Sequence, residues 1–287
     1  MIKALSAEKL LDTETSYGIV KRFNFIDAII ESCNSVNVLD IGCGTGTHLT
    51  HPLAKRYAQT DFVGTDSDAS SIEFANETYK LPNLKFSTDQ ADYQDRLFQL
   101  IIASEVLEHV EDPVAFFVHI KSSLAEGGKV ILTVPNGYGP SEASALLDTV
   151  LRLTGLFQLA RALYRLILNK RPLFPTSVDA SSETLAISPH INFFSHAALI
   201  RLILDNGFKI TSFRSRTIFC GLFFDKIIQG FKLCDWNAEI ADKLSPLFAS
   251  DWMFVLEFTG NKSPLAYQRN LDAQVRRYLN EKRFGLR

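Results

Sequence analysis

The chain is poor in the features that mark several protein classes. Only four of its 287 residues are cysteine, and Cys33, Cys43, Cys220 and Cys234 form no C-x-x-C pair. That density does not fit a disulfide-stapled scaffold, so a reduced, cytoplasmic setting is expected. No uncharged apolar run reaches the roughly 18 residues that crossing a bilayer requires. Residues Met1 to Ser16 carry acids early and have no apolar stretch, so no signal peptide is expected. Neither sign of charge dominates: 30 Lys and Arg face 32 Asp and Glu, a formal net charge of −2. This balance gives no global attraction to nucleic acid. Internal repeats and low-complexity tracts are absent as well.

What is present suffices for a sizeable core. Hydrophobic residues make up 46% and charged residues 22% of the chain. Its length accommodates one large α/β domain with an insertion, or two small domains.

The run Val38-Leu39-Asp40-Ile41-Gly42-Cys43-Gly44-Thr45-Gly46 carries the most information. An apolar strand with an acid near its end meets three glycines spaced by two, and a helix pattern follows from His48 to Tyr57. Glycines at such a turn allow φ > 0 and close approach to a ligand. A second strand, Phe62-Val63-Gly64-Thr65, ends at Asp66, twenty residues past Gly46. An acid at that offset can accept hydrogen bonds from a ribose diol, so the two parts describe an adenosine pocket. A dinucleotide fingerprint reads GxGxxG because a pyrophosphate sits on the helix N-terminus. Here the third glycine comes one residue early and Asp40 precedes the first by two. A carboxylate there repels a pyrophosphate and suits a sulfonium or an amino group.

Strand and helix patterns alternate along the chain, which implies a parallel sheet. Strands are expected at Asn37–Ile41, Asp61–Thr65, Leu84–Ser87, Phe98–Ala103, Lys129–Val134, Phe208–Phe213 and Trp252–Phe258. Helices are expected at Phe23–Ser32, His48–Tyr57, Ala69–Tyr79, Pro113–Ala125 and Ser195–Asn206. Pro113 opens one of these and Glu126-Gly127-Gly128 is its expected stop. Ser195 is the expected N-cap of the last.

The D-x-G-x-G-x-G pattern resembles the first motif of class I S-adenosylmethionine (SAM) methyltransferases. The segment Glu105-Val106-Leu107-Glu108-His109-Val110-Glu111-Asp112-Pro113 resembles the E-V-L-E-H-V-x-D-P signature of a subgroup similar to the ubiquinone-biosynthesis O-methyltransferases. The resemblance runs from about Val36 to Pro135, with weaker support from His190 to Gly207. It implies a Rossmann-like, doubly wound seven-stranded sheet with its last strand antiparallel and a helical insertion after the fifth strand. The expected divisions are a SAM-binding core over 1–138, a helical lid over 139–189, the remaining core over 190–260 and a basic tail over 261–287. Carried over by position, SAM would be held by Asp40, Gly42, Cys43, Gly44, Gly46, Asp66, Ser67, Gln90, Ala91, Ser104 and Glu105. Gln90 and Ala91 are expected near the adenine.

SAM is an activated donor, so the enzyme supplies mainly proximity and an unprotonated nucleophile. A histidine with a pKa near neutrality at the pocket mouth, His109, is the candidate base; the alternative is that it orients the loop. Glu105, Glu108, His109 and the distant His190 also make a candidate divalent-metal set. A similar E-x-x-E-H plus a distant histidine binds metal in small-RNA 3′-terminal 2′-O-methyltransferases and in ubiquinone O-methyltransferases. A solvated Glu108 at a helix start is the plain alternative.

The acceptor is expected to be a small or lipid-like hydroxylated molecule. An RNA 3′ terminus, carbon or nitrogen methylation, and SAM binding without turnover are the alternatives. Residues Ala143 to Asn169 read as a helix broken near Thr154-Gly155, with Gln158, Arg161, Arg165 and Asn169 on one face. Two readings apply to 143–171: a lid over the substrate pocket, or an interfacial helix that meets anionic lipid. The basic tail, with Arg269, Arg276, Arg277 and Arg283, reads as a solvated helix face.

Overall fold

Seven strands form a single sheet in the order β3-β2-β1-β4-β5-β7-β6. They are β1 (Asn37–Ile41), β2 (Asp61–Thr65), β3 (Leu84–Ser87), β4 (Phe98–Ser104), β5 (Leu124–Pro135), β6 (Phe208–Ser215) and β7 (Asp251–Phe258). The computed structural model describes residues 17–33, 37–93, 95–159, 188–220, 228, 231–260, 262 and 266–285. Strands β1 to β5 pair in parallel, and β7 runs antiparallel to both β5 and β6. The chain winds one way from β1 to β3 and the other way from β4 onward. The switch point between β1 and β4 opens a crevice at their carboxyl ends, where such sheets bind ligands.

The central strands are apolar runs because both faces of the sheet are covered. Side chains alternate between two cores. Leu39, Ile101, Phe117, Phe194, Phe208, Trp252 and Phe254 pack on one face, and Ile26, Val38, Phe62, Leu100, Ile102 and Ile131 on the other. Burying each such side chain contributes about 1.5–3 kcal/mol.

Among the described residues the helices are α1 (Tyr17–Cys33), α2 (Thr50–Arg56), α3 (Ala69–Thr78), α4 (Pro113–Ser123), α5 (Pro140–Leu153), α6 (His196–Asp205), α7 (Cys234–Ala241) and α8 (Leu271–Arg283). Their starts follow capping chemistry. Asp68 accepts from the N–H groups of Ser70 and Ser71, Asp112 from those of Val114 and Ala115, and Ser195 from that of Ala198. Each cap is worth about 1 kcal/mol.

Three features depart from the sequence expectation. Helix α4 stops at Ser123, and Glu126-Gly127-Gly128 lies inside β5, whose pairing with β4 shifts register between Phe98 and Leu100. A bulge there absorbs the glycines that periodicity reads as a helix stop. Helix α7 has no counterpart among the expected elements. Finally, α8 is no solvated basic face: Arg276 is 6% exposed, and Arg269, Arg277 and Arg283 all form internal ion pairs. The break at Thr154-Gly155 is present, with Gly155 at φ +76°. The expected helix beyond residue 159 lies outside the described residues. No helix among the described residues is long and apolar enough to cross a membrane.

Candidate functional site

The loop after β1 is built on positive φ. Gly42, Gly44 and Gly46 have φ of +74°, +52° and +70°. At Gly42 a Cβ would lie 2.3 Å from Val106 Cγ2, so the loop also packs too closely against the β4 end to admit a side chain. Thr65 O accepts from the N–H of Gly42 at 2.7 Å and of Cys43 at 2.9 Å, which fastens the loop to the end of β2. Asp66 completes the tie: Oδ2 accepts from Gly44 N–H and Oδ1 from Asp68 N–H, both at 2.9 Å. A carboxylate has about four lone-pair positions, so acceptor capacity for a ribose diol is left over.

Asp40 is buried at the carboxyl end of β1 and accepts the Thr50 hydroxyl at 2.6 Å. It lines a pocket with Gly42, Cys43, Thr47, His48, Leu49, Ser104 and Arg22. Burial, with the charges of Asp40 and Asp66, pushes the Cys43 thiol well above its ordinary range. Cys43 is therefore a neutral wall of the pocket at neutral pH, with no nucleophilic character. Ser67 follows Asp66 at the exit of β2. Gln90 and Ala91 lie in an exposed single turn, where Asp89 Oδ1 already accepts the Ala91 N–H at 2.8 Å.

Arg22 escaped the sequence reading. It comes from α1, is 5% exposed, and brings a guanidinium to the lining of this pocket. In the sequence it is one of two adjacent basic residues, Lys21 and Arg22, just ahead of the expected helix start at Phe23, whereas the helix begins at Tyr17.

At the end of β4, Glu105 takes φ +58°, a strained conformation for a residue with a side chain. Its amide donates to Thr133 O at 3.0 Å, and its Oε1 accepts the Thr133 hydroxyl at 2.6 Å. Its Oε2 lies 3.6 Å from Arg216 Nη1, and Arg216 Nε lies 2.8 Å from Asp251 Oδ2. Burial opposes charge on Glu105, yet the Arg216 and Arg22 guanidiniums outweigh it and hold the carboxyl below the usual range. Burial and the neighbouring Glu105 instead raise Asp251 to about 7. Ser104 shares its hydroxyl with that of Thr133 at 3.0 Å.

One turn further, Glu108, His109 and His190 converge. One ligand atom from each lies within 4.8 Å of the others. Glu105 is not in this group, so three of the four sequence-predicted metal residues come together and the fourth turns to Arg216. Glu108 is 1% exposed, and neither of its carboxylate oxygens has a hydrogen-bond partner among the described residues. Burial and then Glu105 push its pKa well up. The backbone holds the group: Glu108 O accepts the N–H of both Ile191 and Asn192 at 2.9 Å.

The two imidazoles differ. Burial, followed by the charge of His190, lowers His109 to about 4, far from the near-neutral value a poised base would have. Its Nδ1 lies 3.1 Å from the Ser188 hydroxyl and 3.3 Å from Pro189 O. Burial also disfavours charge on His190, but Glu142, then Glu108 and Glu105, raise it to about 9.

The strand order, the antiparallel last strand and the glycine loop at the switch point define a Rossmann-like α/β domain of the methyltransferase type. Residues 19–212 match the family described as methyltransferase domain, and the chain belongs to that family. It is 32% identical over 125 residues to trans-aconitate 2-methyltransferase of Pseudomonas aeruginosa, covering 42% of this chain and 44% of that protein. It is 30% identical over 130 residues to ubiquinone biosynthesis O-methyltransferase of Rickettsia felis, covering 42% and 53%. The chain thus spans about half the length of these curated relatives. Among solved structures it shares its fold with PKMT2 from Rickettsia typhi in complex with AdoHcy, at TM-score 0.51 and 16% identity, over 84% of this chain and 52% of that one.

Proposed function

We propose that the chain is a SAM-dependent methyltransferase that methylates an oxygen of a small or lipid-like hydroxylated acceptor. The observation that carries this reading is the tie between the positive-φ glycine loop and Asp66, beside a pocket lined by Asp40 and Arg22. That donor set fits SAM. Asp66 suits the ribose diol, the glycine loop lets the backbone approach the amino-acid portion, and Arg22 and Asp40 suit its carboxylate and its positive charges. When bound, SAM supplies an electrophilic methyl group on a positively charged sulfur. The chain's own work is to align the acceptor, exclude water and keep an acceptor oxygen unprotonated.

Glu108, His109 and His190 would hold a divalent cation at the acceptor side. A buried carboxylate without hydrogen-bond partners, faced by two imidazoles, matches the needs of a Zn²⁺ or Mg²⁺ site. A cation there would lower the acceptor hydroxyl pKa. Without one, His109 is a neutral but weak base, since its conjugate acid is strong.

The surface supports a lipid-like acceptor. Among the described residues, the exposed large apolar side chains other than Phe74, Leu97, Val118, Leu204 and Phe258 come from residues 136–159, 216–250 and 270–284. The first two segments leave the sheet at the end where β5 and β6 finish and β7 begins, the same end as the crevice, and the third packs on α5. Exposed apolar surface of this kind favours contact with apolar partners. A screen of labelled methyl transfer from SAM to hydroxylated acceptors, with and without liposomes, tests the function. Product on oxygen supports it. S-adenosylhomocysteine binding with no transfer to any acceptor class would overturn it.

A further inference from the structure

Glu142 has no counterpart in the motifs that mark the site, yet it touches it. It sits in the first turn of α5, and its Oε1 lies 2.5 Å from His190 Nδ1. Its Oε2 accepts from Arg276 Nη2 at 3.1 Å. Arg276 comes from α8, where it also donates to Gly137 O, with its guanidinium 3.9 Å over the Phe193 ring centroid. The Glu142 and Arg276 side chains are each 7% exposed.

The backbone at His190 is already fixed. Asn280 Nδ2 donates to His190 O at 3.2 Å, and the next two residues donate to Glu108 O. What the backbone does not fix is the ring: which nitrogen carries a proton, and which faces the site. A carboxylate on one imidazole nitrogen decides both.

We propose that Glu142, pinned by Arg276, is the positioning residue for His190: it takes the Nδ1–H and so presents Nε2 toward Glu108 and His109. The chemistry is specific to a carboxylate. Each oxygen of Glu142 serves one donor, and Arg276 is a donor that never deprotonates. A glutamine has one acceptor oxygen, which Arg276 takes. Its NH₂ then faces His190 Nδ1, and the nitrogen must become the acceptor.

The proposal builds on the reading of Glu108, His109 and His190 as a cation site, and two separate measurements keep the two apart. The first is the long-range ¹H–¹⁵N spectrum of metal-free, full-length protein labelled on histidine nitrogen, with His190 assigned from His190→Gln. His190 Nδ1 is expected to be protonated in wild type, unprotonated in Glu142→Gln, and protonated again in Glu142→Gln/Arg276→Met, where methionine frees the glutamine oxygen. The second is Zn²⁺ affinity, expected to fall about 10- to 100-fold in Glu142→Gln and to recover in the double variant. Unchanged Nδ1 protonation in Glu142→Gln overturns the proposal. So does a double variant that melts like wild type but keeps Nδ1 unprotonated, and this arm serves alone if Glu142→Gln does not fold. Wild-type protein that binds no Zn²⁺ overturns the cation reading and leaves the spectra to judge Glu142.

Discussion

Gly44 donates its backbone N–H to Asp66 Oδ2 at 2.9 Å, so the glycine loop and the acid after β2 form one unit. Asp66 both shapes the loop and faces the nucleoside. Replacing it with alanine removes two backbone hydrogen bonds to a charged group, each worth about 1.5–3 kcal/mol. Calorimetry with S-adenosylhomocysteine should read at least about a tenfold loss of affinity for Asp66→Ala. Affinity within twofold of wild type would separate Asp66 from the pocket.

Gly42→Ala tests the loop itself. A side chain at φ +74° costs about 1–3 kcal/mol, and its Cβ would lie 2.3 Å from Val106. A lower urea midpoint and weakened S-adenosylhomocysteine binding are expected together. A variant as stable as wild type would mean that the loop relaxes freely.

The cation reading predicts ligand-linked stability. Zn²⁺ at about 100 times its Kd should raise wild-type stability by about 2.7 kcal/mol. Glu108→Gln and His190→Gln should show no such rise in thermal scans. Melting temperatures that ignore Zn²⁺ in all three, with turnover unaffected by EDTA, would refute the site.

The two imidazoles give opposite pH signatures in the metal-free protein. His190 is raised to about 9 by its carboxylates, so its stabilisation is complete below the unfolded value of about 6.5 and is lost as pH rises through about 9. His109 is lowered to about 4 by burial, so its contribution is present above about 6.5 and is lost as pH falls through about 4. Urea unfolding across pH should show His109→Gln flattening the acid limb and His190→Gln flattening the alkaline one. Parallel profiles for both variants and wild type would contradict the assignment.

Arg276→Ala should destabilise by about 3–5 kcal/mol, because it leaves Glu142 buried with one partner lost. A loss below about 1 kcal/mol would show that α8 is not anchored through this pair.

Much of this was legible in the sequence, for identifiable reasons. The strands of the parallel core are continuous apolar runs ended by turn residues, and β1, β2 and β3 have the expected limits. Pro113 and Ser195 announce helices because their chemistry is local. What escaped is non-local. Nothing near Arg22, Glu142, Arg216 or Arg276 in the chain reveals the partner that buries it, and α8 reads as a basic surface because its acidic partners, Glu111, Glu142 and Asp148, lie over 120 residues earlier. Glu105 matched the metal pattern by spacing, but its positive φ and the arriving Arg216 turn it elsewhere.

The most direct test is a calorimetric comparison of S-adenosylhomocysteine, SAM and nicotinamide dinucleotides on the full-length protein. Saturable one-to-one binding of the two sulfur nucleosides, with no heat from the dinucleotides, is the predicted result. Tight dinucleotide binding with silence from both sulfur nucleosides would contradict the account at its base.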